Sequence, residues 1–293
     1  MARVSFVERL KQLGLAILSI VLFLVIGIAL SGGLLLALGP KVQSARLDAG
    51  ETWRTTLQQV AIVGSFLAAT WVVGVLVHKR PWRDWGWRPA PGTARSFARG
   101  ALVGAVMATG AVALALVGGA KLRIEESLGT YVLAAIPLGL TLFGAALAEE
   151  LTFRGLPIRR QADALGPTNA TVVLALAFGL AHLKNPSATL LGAVNIMLAG
   201  AWLSIAFFTS GMGLAWGLHF GWNAMLALGF DAPVSGFMMH VPGPEYTVGR
   251  YSWFDGGVFG PEGGLVATIA LIGGAAYLLR DRWRRRPVVE AAA

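Results

Sequence analysis

The chain has 293 residues, of which 56% are hydrophobic and only 13% charged, with a net charge of +9 and no cysteine. A soluble domain carries about 25% charged residues, so this composition excludes an ordinary soluble protein, and the lack of cysteine excludes disulfides, thiolate catalysis and thiolate metal sites. The positive charge does not indicate nucleic acid, because the basic residues sit between apolar runs and at the C-terminus (Arg280, Arg282, Arg284, Arg285, Arg286), where they orient a membrane protein and meet anionic headgroups.

A helix that crosses a bilayer needs about 20 apolar residues. In chain order, the apolar runs predict eight such helices, at about 12–38, 57–78, 97–119, 131–157, 169–185, 188–209, 212–230 and 263–280. The first run is too long for the apolar stretch of a signal peptide and reads as a retained helix. Between the second and third, Pro81-Trp82-Arg83-Asp84-Trp85-Gly86-Trp87-Arg88 mixes Trp and Arg as headgroup-layer segments do. The fifth run is short and is followed by Asn185-Pro186. The longest connection, about 231–262, is rich in Gly, Pro and aromatic residues; two readings stay open, a gate over the cavity from outside or a loop whose Trp253, Phe254 and Phe259 simply rest in the outer interface. The fold class is therefore all-α, a polytopic transmembrane helical bundle forming one integral membrane domain over residues 1–293. With eight spans, 17 of the 24 Lys and Arg residues fall on one side and 7 on the other. This asymmetry predicts both termini in the cytoplasm.

Ionisable residues inside apolar segments are costly and mark functional positions. Three fragments contain them. In Ala148-Glu149-Glu150-Leu151-Thr152-Phe153-Arg154, Glu150 and Arg154 are four apart and share a helix face, while Glu149 points about 100° away. The arginine neutralises one carboxylate and leaves the other available as a base. Phe178 and His182 are four apart in the fifth segment, and His219 and Asn223 are four apart in the seventh. Each fragment alone has a plainer reading: a headgroup-solvated charge cluster, a satisfied polar residue at a helix end, or a helix–helix hydrogen bond.

Together they are more specific, provided segments four, five and seven pack against one another. Glu149 then serves as a base helped by His182, with His219 and Asn223 donating to a developing oxyanion. Alternatively, Glu149, His182 and His219 ligate zinc, although no His-Glu-x-x-His helix is present. No cofactor is required by the first arrangement. A fourth helix that starts at Tyr131 puts Glu149 close to the membrane surface at 1.5 Å per residue. A helix running from about Pro137 to Ile158, with Arg159 and Arg160 among headgroups, places Glu149 deeper in a cavity open to the cytoplasm.

These fragments resemble the signature of the CAAX prenyl protease 2 and bacteriocin-processing (CPBP, or Abi) family of intramembrane proteases, in its bacterial form. Its pattern is Glu-Glu-x-x-x-Arg, Phe-x-x-x-His and His-x-x-x-Asn or Asp. Glu149, Glu150 and Arg154 match the first element, Phe178 and His182 the second, and His219 and Asn223 the third. The resemblance covers about 130–230, with weaker similarity at Asp84-Trp85-Gly86-Trp87-Arg88 and at Gly260-Pro261-Glu262-Gly263-Gly264. It implies an eight-helix, glutamate-dependent endopeptidase with Glu149 and His182 as water activators and His219 and Asn223 as the oxyanion site. Glu150, Arg154 and Phe178 support them, and the metal question stays open.

The high Arg, Gly and Ala content, without a eukaryotic targeting element, implies a bacterial inner membrane. The expected partners are the lipid bilayer and a peptide or membrane-protein substrate entering from lipid or from the cytoplasmic side, with no nucleic acid. Two other readings remain: a family member acting as a membrane scaffold or regulator, and a proton-coupled transporter, for which intramembrane Glu, His and Arg would form the path.

Overall fold

The computed structural model describes residues 6–39, 49–124 and 128–284, so Arg285 and Arg286 lie outside the described residues. The chain is a polytopic all-α bundle. Its helices are α1 (Phe6–Leu38), α2 (Ala49–Thr70), α3 (Gly92–Val117), α4 (Leu128–Phe153), α5 (Leu156–Leu165), α6 (Pro167–Ala181), α7 (Leu190–Ser210), α8 (Met212–Ala224), the single turn α9 (Ser252–Asp255) and α10 (Leu265–Arg284). Wider helical turns extend α2 through Trp71–Val77 and α8 through Met225–Gly229. Five helical stretches are long and apolar enough to cross a membrane: Leu10–Leu38, Thr52–Val77, Gly92–Val117, Gly129–Leu165 and Leu190–Ser210. Pro167–Ala181 and Leu265–Arg280 are apolar but shorter.

The closest helix pair is set by small residues. Gly213, Gly217 and Gly221 of α8 lie against the backbone of Thr93, Phe97 and Ala101 of α3. In return, Gly100 and Gly104 of α3 lie against the backbone of Leu214 and Leu218. A Cβ at Gly100 would stand 2.6 Å from the Leu214 carbonyl oxygen, and one at Gly104 would stand 2.9 Å from the Trp222 nitrogen. The constant register means that α3 and α8 run parallel. In lipid, where apolar surfaces gain nothing by leaving the solvent, such close backbone approach is what holds helices together. The α2–α4 pair is also parallel, tied by Thr56 Oγ1 and Thr141 Oγ1 at 2.7 Å and by Thr56 Oγ1 donating to the Pro137 carbonyl at 3.1 Å.

These pairings sort the connections into two ends. At one end, the amide of Met212 donates to Gly86 O, and Arg80 and Arg160 both bind Asp163 Oδ2, at 2.8 and 2.9 Å. At the other end, strand β1 (Lys121–Ile124) pairs antiparallel with β2 (Pro244–Thr247), and Asn185 Nδ2 donates to Ser235 O. The first end carries the Trp82–Arg88 stretch and α5, and is the richer in basic residues. The second carries the turn at 182–189 and the long connection at 231–264.

Two expectations need correction. The fourth helix neither begins near Pro137 nor runs to Ile158. It begins at Leu128 and stops at Phe153, and Gly155, with φ +59°, turns the chain into α5. That positive φ suits a residue without a Cβ. Arg160 is not spread among headgroups but is nearly buried on Asp163, and Arg159 lies 5.5 Å over the ring of Phe207. The fifth helix ends at Ala181, so His182 caps it rather than lying inside it.

The glycine register makes a direct prediction. Gly217→Leu forces α3 and α8 apart, and overpacking of this kind costs about 1–3 kcal/mol or more. Gly110, on α3, has open space where a Cβ would stand, with nothing within 4 Å. It should accept alanine with unchanged or higher stability, since alanine favours helix. Thermal unfolding in detergent should show a drop of several degrees for the first variant only.

Candidate active site

The site is built around a charge with no access to water. Arg154 and Glu150 are both 0% exposed, and Arg154 Nη1 donates to Glu150 Oε1 at 3.1 Å. Arg154 Nη2 donates to the carbonyl of Gly200 at 3.1 Å, and the guanidinium lies 4.5 Å over the ring of Phe178. Gly200 is midway along α7, so α4 ends inside the bundle and places both glutamates at mid-depth. This resolves the depth conflict by a different route from a shifted helix. The chain reaches the basic end through α5.

Glu150 also sets a histidine. Its Oε1 lies 2.9 Å from His219 Nδ1. A carboxylate paired with arginine accepts only, so Nδ1 carries a proton. His182 is fixed in the same way, with Nδ1 2.7 Å from the carbonyl oxygen of Phe178. In both rings Nε2 is left for chemistry, and both point to one atom. Glu149 Oε2 lies 3.7 Å from His182 Nε2 and 3.7 Å from His219 Nε2. These separations are too long for direct hydrogen bonds. Glu149 Oε2 has no hydrogen-bond partner among the described residues, yet the Glu149 side chain is 39% exposed to the cavity. Two adjacent glutamates therefore sit in opposite environments, as their 100° separation on the helix requires.

Phe178 is packed between Arg154 and both imidazoles, with ring centroids 4.6 Å from His182 and 6.1 Å from His219. Asn223 lines the same cavity one turn above His219. The packing of α4 on α8 is held by Phe97, Phe143, Trp216 and Phe220, and by Trp216 Nε1 donating to Phe143 O at 3.0 Å. Of the seven residues singled out from the sequence, Glu149, Phe178, His182, His219 and Asn223 line one cavity, and Glu150 and Arg154 are buried behind it. The described residues contain no group of three or more His, Cys, Asp or Glu side chains arranged to hold a metal ion. Glu149, His182 and His219, the alternative zinc set, are the three side chains whose Oε2 and Nε2 atoms converge.

The cavity has a volume of about 360 Å³. Its lining runs from Glu149 and the histidines to Asn185, Asn195, Val234, Ser235, Phe237, Met238, Met239 and Glu262. None of these lining residues comes from the loops at the basic end. The cavity therefore faces the sparsely basic end. Of the residues for which the outer interface is one of two open readings, Phe259 is buried against Phe178 and Ile196, whereas Trp253 is exposed.

A second carboxylate forms the far wall. Glu262 accepts from Trp222 Nε1 at 3.0 Å and from both the amide and the hydroxyl of Ser235. Asn195 Nδ2 donates to the carbonyls of Glu262 and Gly264, each at 2.8 Å, and Asn195 Oδ1 accepts from Thr268. This network joins α7, α8 and the 231–264 connection. Near its start, buried Asp231 accepts from the Val241 amide and contacts His240 Nδ1 at 2.8 Å. Burial pushes the Asp231 carboxyl up from its ordinary range, against those two hydrogen bonds. Sequence reasoning passed over Glu262, Asn195 and Ser235 as site residues. The signal available was a carboxamide in the apolar α7 and a glutamate set among glycines.

Residues 131–225 match the family model described as Type II CAAX prenyl endopeptidase Rce1-like. Over that segment the chain is similar to this family. The matched residues carry Glu149, Glu150, Arg154, Phe178, His182, His219 and Asn223. A search of curated proteins finds no match, and neither does a search of solved structures. The similarity supports a protease acting on a peptide or protein, and five helical stretches are long and apolar enough to cross a membrane.

Proposed function

We propose that this protein is a glutamate-dependent intramembrane endopeptidase that cleaves a peptide or membrane-associated protein without a required cofactor. The observation that carries this reading is the convergence of Glu149 Oε2 with two imidazole Nε2 atoms, each 3.7 Å away. A water bridging Glu149 and His182 satisfies both at ordinary hydrogen-bond lengths. Glu149 removes its proton as the oxygen adds to the peptide carbonyl carbon. His219, doubly protonated with Nδ1–H on Glu150, and the Asn223 carboxamide donate to the oxyanion. The tetrahedral intermediate then collapses, the C–N bond breaks, and the proton held by Glu149 passes to the leaving amine. Glu150 and Arg154 keep His219 in position and do not touch the substrate.

The scaffold reading is disfavoured because nothing in the local packing requires a cavity-exposed carboxylate beside two fixed imidazoles. The transporter reading needs a polar path, but the Arg154–Glu150 pair is sealed from water. With the basic end in the cytoplasm and an even number of spans, both termini lie inside. The cavity then faces away from the cytoplasm, across the bacterial inner membrane.

Two measurements check this. Glu149→Ala should lower cleavage of a fluorogenic peptide library by about 10²–10⁴-fold with folding intact; equal cleavage would refute the assignment. The chain has no cysteine, so Phe237→Cys introduces a single label site. It should react with an impermeant thiol reagent on the periplasmic face of intact cells, and reaction only after permeabilisation would reverse the orientation.

A further inference from the structure

One wall of the cavity comes from a helix outside residues 131–225. Thr55, Gln58 and Gln59 of α2 line it beside Thr141, Ala145 and Glu149 of α4. Their levels follow from the parallel pairing of the two helices. Thr56 meets Thr141, and a Cβ on Gly144 would stand 2.9 Å from Gln59 Cβ. Gln59 is therefore level with Gly144, five residues before Glu149, which is about 7–8 Å along the helix at 1.5 Å per residue. That offset points toward the sparsely basic end, because α4 starts there, with Tyr131 against Gly243, and stops at Phe153. Gln59 thus lies between Glu149 and the 234–239 turn that lines the cavity's far side. Gln58 is occupied, donating to the carbonyl of Gly39. Gln59 is half-buried, and no hydrogen bond joins its carboxamide to another described residue. An unpaired amide is costly in an apolar span, so this one calls for a partner in the cavity.

We infer that Gln59 binds the main chain of an extended substrate segment, and so sets which peptide bond reaches Glu149. This inference rests on the endopeptidase reading and adds to it a binding residue outside the matched segment. A primary carboxamide offers N–H donors and a carbonyl acceptor, the complement of a peptide's own C=O and N–H. An extended chain rises about 3.3 Å per residue. A segment entering past the 234–239 turn, with its scissile carbonyl at Glu149, therefore brings the residue about two places from the cleavage point level with Gln59. Thr55, one turn earlier on the same face of α2, continues the polar wall toward the turn. Contact with the main chain does not depend on side-chain identity. Its effect is to fix the register of the segment and hold the scissile carbonyl beside the catalytic groups.

The test uses a fluorogenic peptide and a series in which each backbone amide except the scissile one is replaced in turn by an ester. The ester removes one N–H donor and leaves every side chain in place. Cleavage is measured with the full-length protein in nanodiscs, wild type beside Gln59→Leu. In parallel, photo-crosslinking of the same series in a Glu149→Gln background, with and without Gln59→Leu, reads occupancy without turnover. One ester, about two residues from the scissile bond, should lower kcat/KM and crosslinking about three- to tenfold, the contribution of one neutral hydrogen bond. Gln59→Leu should abolish that penalty and leave those at other positions unchanged. It should also unfold at or above the wild-type temperature, since it removes an unpaired polar group. The same ester profile in both proteins overturns the assignment of Gln59 and leaves the protease reading standing. A fall of several degrees in Gln59→Leu overturns it as well, by showing a structural hydrogen bond. Crosslinking with the expected loss of the penalty but no cleavage supports Gln59 as a peptide-binding residue while removing the protease reading. Neither cleavage nor crosslinking of any peptide overturns both.

Discussion

An arginine with no exposure, placed midway through an apolar bundle, is the constraint around which the rest of this structure is arranged. Arg154 cannot deprotonate to escape its environment, so its charge must be met where it stands. Glu150 meets it one helical turn away, Gly200 O takes a second donor, and Phe178 covers the face of the guanidinium. Once Glu150 is committed in this way, its carboxylate also fixes His219 through Nδ1. The neighbouring Glu149 shares none of these partners and is turned into the cavity. A buried ion pair and a cavity-facing carboxylate therefore come from two consecutive residues.

The helices around this pair are shaped to allow it. Phe153 and Gly155 end α4 inside the bundle, which brings Arg154 level with the middle of α7. The glycine stripe of α8 lets it approach α3 closely, which sets the position of His219 and Asn223. On α6, Phe178 and His182 stand one turn apart, so one residue shields the ion pair while the next faces Glu149. The 231–264 connection, far from resting at the surface, closes the cavity through Glu262 and Ser235.

Much of this was legible in the sequence. The three fragments could be read because charged residues in apolar runs are few and expensive, and because four-residue spacing fixes a shared face. The family resemblance, carried by those residues, agrees with the match over 131–225. What could not be read was depth and direction. The break after Phe153 depends on a backbone turn at Gly155 that hydropathy does not register, so the fourth helix was drawn past that turn to residue 157. The cavity's facing depends on which loop folds inward, and a loop rich in Gly and Pro gives no periodic signal. Glu262 was hidden for the same reason: its burial arises from Trp222, Ser235 and Asn195, residues distant in sequence and joined only by the fold.

The division of labour between the two glutamates is the central claim, and one paired measurement tests it. Glu149→Gln and Glu150→Gln are purified side by side, and thermal stability and peptide turnover are recorded for each. Removing one partner from a buried ion pair costs about 3–5 kcal/mol, so Glu150→Gln should unfold at a markedly lower temperature. Glu149→Gln should match the wild type in stability and lose turnover. If Glu149→Gln is the destabilised variant, or if Glu150→Gln keeps full stability, the buried pair does not organise the site and the account fails.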